Sequence, residues 1–235
     1  MPSTRIPPRP EQIEAARHHV DLLTRAYPDA CCELDFTSAF ELLVATVLSA
    51  QSTDRRVNSV TPALFVRYPT PAALADADPG EVEEIVKPTG FFRAKTEAII
   101  ALSRELTDRF SGTVPSTLEE LVTLRGVGRK TANVVLGDAF GVPGITPDTH
   151  FMRLSRRLGW TSATKPDDIE AEAGLLFPES EWVAVSHLLI WHGRRCCHAR
   201  RPACGACPVG PACPSYGEGP TEPAIALKLL REPRG

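Results

Sequence analysis

Two stretches of this chain hold residue types at spacings that can do chemistry. The first is Leu121 to Val135, which reads Leu-Val-Thr-Leu-Arg-Gly-Val-Gly-Arg-Lys-Thr-Ala-Asn-Val-Val. Gly126 and Gly128 interrupt one apolar helical pattern, and a second begins after them. Glycine admits positive φ and lets a partner approach bare backbone. A helix opening near Arg129 would present N–H groups without intrahelical partners and the positive end of its dipole. That is a ready anion site, and on a nucleic acid the anion is a phosphate. Lys130 would sit in the first turn, where a cation is disfavoured and the field favours the neutral amine, the form that attacks carbon. A helix–helix hinge followed by a solvated lysine is the plainer reading, and this stretch alone does not decide between them.

The second stretch carries Cys197, Cys204, Cys207 and Cys213, separated by six, two and five residues. Four thiols so close together point to a shared ligand rather than to isolated core positions. Zinc sites usually show two short pairs, whereas here there is one pair and two singletons, a pattern that suits an iron–sulfur cluster better; spacing leaves both open. Arg194, Arg195, His198, Arg200 and Arg201 would give this loop a positive edge, and metal ligation can order a basic loop too small to fold alone. The cysteines number seven, an odd count, with Cys31 and Cys32 early and the other five clustered late in the chain, which argues for metal rather than disulfides. Cys196 is left over and is expected to be a buried thiol.

The chain must also supply a frame for these stretches. Its 235 residues, 43% hydrophobic and 23% charged, suit one large or two small soluble domains. No apolar run reaches the ~20 residues of a membrane helix, and Phe40 to Ala50 reads as a buried helix instead. Met1 to Pro10 lacks the apolar core of a secretory signal, so a flexible tail and a cytoplasmic protein are expected. The net charge of −3 does not announce a polyanion binder, but Arg125 to Arg157 carries six basic residues against two acids. Asp76 to Glu84 carries five acids and no base. Such a two-faced distribution can still steer DNA.

Helical spacing of Ile13, Ala16, Val20, Leu23 and Tyr27 predicts an N-terminal helix ending before Pro28. Phe36 to Ala50 predicts a helix buried on nearly all sides. Gln51-Ser52-Thr53-Asp54 can cap a further helix, which Pro62 would weaken. Short helical pieces follow at Pro71 to Ala75 and Pro79 to Val86. Phe92, Ile99, Leu102, Leu106 and Phe110 make a long amphipathic helix ending near Gly112. Ser116-Thr117-x-Glu119-Glu120 is a helix start leading into the double-glycine stretch. Asp148 to Leu158, Asp167 to Phe177 and Glu181 to Trp191 read as helices. No alternating pattern of useful length is present, so the fold class is all-α. The segment after Cys213, rich in proline and glycine before Ala224 to Leu230, shows no legible role.

Together these stretches resemble the endonuclease III family, the iron–sulfur branch of the helix-hairpin-helix DNA glycosylase superfamily, over roughly Glu33 to Cys213. Leu-Arg-Gly-Val-Gly-Arg-Lys-Thr-Ala at 124–132 is similar to the helix-hairpin-helix, so Arg125, Gly126, Val127, Gly128 and Arg129 are its expected DNA-binding residues. Asp-Thr-His at 148–150 is similar to the segment carrying the family aspartate, with His150 beside it, and the cysteine spacing resembles the 4Fe-4S loop. Leu-Ser-Ala-Gln-Ser-Thr-Asp at 48–54 is similar to the segment whose glutamine fills the gap left by a flipped nucleotide, here Gln51. The second wedge residue follows a glycine, which places it at Phe91.

The resemblance implies a bifunctional DNA glycosylase and AP lyase that excises oxidised pyrimidines from double-stranded DNA. Lys130 would be the nucleophile, Asp148 its catalytic partner, and Cys197, Cys204, Cys207 and Cys213 the ligands of a 4Fe-4S cluster. It implies two helical domains with a DNA-binding cleft between them. Residues 33–142 would form a helical barrel with the hairpin, 143–235 the cluster domain and tail, and 1–32 a tail and helix packing on the cluster domain. The enzyme is expected to be monomeric, with damaged duplex DNA as partner and no membrane. A monofunctional glycosylase of the same superfamily and a non-catalytic iron–sulfur DNA-binding protein are the alternatives. Lys130 argues against the first, and the pairing of Lys130 with Asp148 against the second. Three departures from the family pattern stand out. Arg125 replaces a proline, which would loosen the hairpin and add a charge near phosphate. Phe91 is aromatic where an aliphatic residue is common. Pro147 precedes Asp148 and favours extended backbone there.

Overall fold

The computed structural model describes residues 7–231, and among them every regular element is a helix or a short 3-10 turn. The tail expected over Met1 to Pro10 lies outside the described residues as far as Ile6; Pro10 itself opens the first helix. In chain order the helices are α1 (Pro10–Ala26), α2 (Ala39–Leu48), α3 (Asp54–Asn58), α4 (Thr61–Arg67), α5 (Pro71–Ala75), α6 (Pro79–Val86) and α7 (Phe92–Phe110). There follow α8 (Leu118–Leu121), α9 (Arg129–Phe140), α10 (Thr149–Arg157), α11 (Pro166–Gly174), α12 (Trp182–Arg195) and α13 (Pro223–Ala226). The chain divides into two compact units, one of Cys32–Val142 and one that joins Met1–Cys31 to Pro143–Gly235.

The unit Cys32–Val142 is built around α2. Ser38 caps it by accepting the Glu41 N–H, while the Glu41 carboxylate accepts from the Thr37 N–H at 2.6 Å. This reciprocal cap stops the helix at Ala39, three residues short of the start expected at Phe36. Phe40 and the run Leu42 to Leu48 are buried. Its one hydroxyl, on Thr46, is satisfied by the Leu42 carbonyl at 2.7 Å. Fully burying each of these aliphatic side chains contributes about 1.5–3 kcal/mol. α7 packs on α2, α5 and α6, and α9 packs on α2 and α8, so the segment that leads into Lys130 rests on the unit's core. Pro62 does not weaken a helix. It lies in the first turn of α4, where a proline costs no hydrogen bond, and Thr53 caps the separate short helix α3.

The other unit has its own core around Phe151, Leu154, Trp160, Ile169 and Leu189, with α12 packed on α1 and α10. The Trp160 ring meets Phe177 edge to face at 5.0 Å, and its indole N–H donates to His19 Nδ1 at 3.2 Å. Gly193 lets α10 and α12 close on each other: a Cβ there would stand 2.7 Å from His150 Nδ1. α12 runs on to Arg195, beyond the Trp191 expected, and delivers the chain directly to Cys196 and Cys197. The segment after Cys213, silent in sequence, folds back on the cysteine loop. Pro220 accepts from the Gly205 N–H at 2.9 Å, and Arg231 N–H donates to Arg195 at 2.9 Å. Ala226 is buried against Cys196 and Ala203. A Cβ at Gly205 or Gly219 would collide with the carbonyl oxygens of Thr221 or Pro202, so close backbone approach fixes both glycines.

Candidate functional site

The candidate residues are carried by both units, and each group is defined by its own surroundings. In the unit Cys32–Val142, Gly126 takes φ +80 and ends the turn after α8, while buried Val127 anchors that turn in the core. Gly128 is the N-cap of α9 and offers no side chain to the first-turn N–H groups. An anion approaching this helix end therefore meets bare backbone. Lys130 is the second residue of α9 and is exposed, as are Arg125 and Arg129.

Arg125 does more than replace a ring. Its backbone N–H, which a proline would lack, donates to Glu105 Oε2 on α7 at 3.0 Å. Arg109, paired with the same carboxylate at 3.6 Å, donates to the Thr123 hydroxyl at 2.7 Å. The looser hairpin expected from sequence is instead tied to α7, while the Arg125 side chain remains at the surface.

Gln51 and Phe91 share an unusual backbone. Both take left-handed φ, +54 and +49, and Ser111 is the other described non-glycine residue that does so. Such a conformation costs of order 1–3 kcal/mol and collects at functional sites. Gln51 follows the end of α2 and Phe91 precedes α7, and both side chains are exposed, Phe91 by 68%. An aromatic ring so bare suits insertion into something.

In the other unit, Asp148 is the N-cap of α10, with Oδ1 accepting the Phe151 N–H at 2.7 Å. The residue is 9% exposed. His150 stands two residues on, its Nδ1 3.2 Å from the Arg153 guanidinium. Burial pushes the His150 pKa down, against the pull of the Asp148 charge, so the ring is neutral near pH 7.

α10 also reaches the cysteines. Arg153 donates to the Cys197 carbonyl at 2.8 Å, and Arg157 to Cys197 Sγ at 3.3 Å and the His198 carbonyl at 2.8 Å. Cys197, Cys204, Cys207 and Cys213 line one pocket, together with Cys196 and His192. Short 3-10 turns at Cys204–Ala206 and Gly210–Ala212 aim Cys207 and Cys213 inward. His192 was not legible as a neighbour of this group. Its ring nitrogen lies 3.4 Å from Cys207 Sγ, and ligand atoms of His192, Cys196 and Cys207 fall within 4.8 Å of one another. A hydrogen bond from Cys196, then His192, lowers the Cys207 pKa against the effect of burial. The pocket can hold a metal: soft thiols converge on it, and the Arg157 guanidinium offsets thiolate charge.

Residues 44–179 match the profile of the HhH-GPD superfamily of base excision DNA repair proteins, and the chain belongs to that family. Within it, the chain is 52% identical over 195 residues to Endonuclease III of Synechocystis sp., covering 83% of this chain and 89% of that protein. It is 40% identical over 197 residues to Endonuclease III of Escherichia coli, covering 83% and 93%. A solved structure of a trapped Endonuclease III–DNA covalent intermediate superimposes with TM-score 0.83 at 40% identity, over 87% of this chain and 96% of that one. A thermostable thymine-DNA glycosylase, 20% identical, shares the fold with TM-score 0.79 over 88% and 97%.

Proposed function

We propose that this chain is a bifunctional DNA glycosylase and AP lyase that removes oxidised pyrimidines from duplex DNA in base excision repair. The observation that carries the reading is Lys130, an exposed amine on the first turn of a helix whose glycine cap leaves phosphate-binding N–H groups beside it. Its relatives named Endonuclease III, one of them solved as a covalent DNA intermediate, support it.

The target base leaves the stack, because C1′ cannot be reached in place. Gln51 and Phe91 fill the vacated space. Gly126, Val127 and Gly128 offer backbone to a phosphate, and Arg125 and Arg129 add charge. The Lys130 amine attacks C1′ as the C1′–N bond breaks, and the base departs with its bonding pair. Asp148 takes a proton from the lysine and stabilises positive charge at the sugar. Its Oδ1 holds the helix, which leaves the second oxygen for this work. The C1′–O4′ bond then breaks as the nitrogen lone pair forms C1′=N, O4′ taking a proton and opening the sugar. The protonated Schiff base acidifies the C2′ hydrogen, and loss of that proton expels the 3′ phosphate by β-elimination. His150, neutral, offers a hydrogen bond near Asp148.

Cys197, Cys204, Cys207 and Cys213 would hold a 4Fe-4S cluster, which orders the basic loop around Arg200 and Arg201 for phosphate contact. The substrate, cellular DNA, places the enzyme in the cytoplasm, on the nucleoid in a bacterium. Incubation with a duplex carrying one thymine glycol, then borohydride, should give a covalent protein–DNA adduct that Lys130→Ala abolishes. Base release without an adduct would mean a monofunctional glycosylase, and tight binding with neither product would mean a DNA-binding protein.

A further inference from the structure

Lys95 is a buried cation with no part in the chemistry above. It lies in the first turn of α7, is 6% exposed, and donates from Nζ to the Thr89 carbonyl at 2.8 Å. A lysine at a helix surface ordinarily extends into water, and burying an ammonium is costly, so its position calls for a reason. Burial also lowers its pKa. The carbonyl it grips begins the loop Thr89–Gly90–Phe91. The backbone N–H of the same lysine donates to the Phe91 carbonyl at 3.1 Å. The Phe91 carbonyl is thus held by the ordinary first-turn bond of α7 and the Thr89 carbonyl by the Lys95 ammonium, with Gly90 at φ 72 and Phe91 at φ 49 in the loop so tied. The Thr89 hydroxyl adds a bond to the Val86 carbonyl at 2.8 Å.

We propose that Lys95 is a positioning residue that locks the Thr89–Phe91 loop in its left-handed form, so that the Phe91 ring stands ready to enter the base stack. This rests on the reading of Phe91 as a wedge. A phenylalanine does not hold positive φ unaided, and a wedge ordered in advance spends no ordering entropy on insertion. Without the ammonium the loop relaxes, the ring leaves its pose, and sensing of the opposite base weakens.

Lys95→Met keeps the stem and the apolar packing and removes only the ammonium. It is compared with wild type, F91A and the double variant on a duplex carrying a tetrahydrofuran abasic analogue opposite 2-aminopurine. Binding and the 2-aminopurine fluorescence rise are read beside melting temperature. Lys95→Met is expected to lose on the order of tenfold in affinity, the scale of one strained residue released, with a reduced fluorescence rise. F91A is expected to lose at least as much. The double variant should be no worse than F91A, because Lys95 acts through Phe91. Losses that add, or a folded Lys95→Met that matches wild type, overturn the proposal. An F91A protein that matches wild type overturns the wedge reading, and the role of Lys95 with it. Should Lys95→Met fail to fold, Gly90→Ala strains the same loop through its φ of +72 and adds no clash, since its Cβ meets nothing within 4 Å. The same non-additivity with F91A is then expected, and additivity refutes the proposal.

Discussion

Asp148 caps α10 and is the proposed partner of Lys130, two roles that substitution can separate. As the N-cap of α10 it accepts the Phe151 N–H at 2.7 Å, and as a carboxylate it would serve the Lys130 amine. Asp148→Asn keeps a short side-chain acceptor, and asparagine caps about as well as aspartate, so stability should stay within a few tenths of a kcal/mol. Asp148→Ala removes the acceptor and should cost about 1 kcal/mol, within a range of about 0.5–2. For a chain of this size that lowers the melting temperature by about 2–4 °C per kcal/mol. The chemistry should fall in both variants, by about 10²–10⁴-fold if Asp148 transfers a proton. That corresponds to about 2.7–5.4 kcal/mol of barrier. The assay is single-turnover borohydride trapping on a thymine glycol duplex, beside a thermal melt of each variant. An Asp148→Asn protein that traps at the wild-type rate would refute the catalytic role and leave a cap alone. A rate that tracks melting temperature across both variants would refute it equally.

Arg125→Pro should remove one phosphate contact, so the slope of log affinity against log salt should shrink by about one; an unchanged slope would mean Arg125 does not touch DNA. Glu105→Ala should cost about 0.5–1.5 kcal/mol by freeing the Arg125 N–H, and less in the Arg125→Pro background, where only its exposed ion pair with Arg109 is left to lose, a pattern read by melting. Iron content should drop in Cys204→Ser and Cys213→Ser but persist in Cys196→Ala; metal lost in the last would move the ligands to the His192, Cys196 and Cys207 group. Burial holds the pKa of His19 below its ordinary 6.5 against the pull of the Ala212 carbonyl, so the unfolded chain takes up that proton first on acidification. Its contribution to stability is therefore complete above about 6.5 and lost as pH falls toward the folded value. His19→Gln should flatten the acid side of a melting-temperature profile, and an unchanged profile would show that other groups set it.

Much of the short-range chemistry was legible in the sequence, the Ser38 cap and the first-turn place of Pro62 excepted. Thr53 and Thr117 cap the helices they precede, because a cap is decided by a side chain and an N–H three residues away. α5 and α6 begin and end where their prolines and periodicity put them. The double-glycine turn was readable for the same reason, since only glycine takes φ +80 without strain.

Contacts far apart in the chain were not. That Arg125 would trade a rigid ring for a hydrogen bond to Glu105 depends on a partner 20 residues away on α7. That His192 and Cys196 would stand beside Cys207 depends on α12 delivering them to a pocket which later turns complete. The segment after Cys213 has no periodicity of its own, and its place on the cysteine loop comes from glycines that allow backbone to meet backbone. The sequence by itself determined the all-helical class and the family, because residue type, cap and period act within a few positions. Only the tertiary structure decided which buried groups pair, because hydrogen bonds and packing are satisfied in space without regard to separation along the chain.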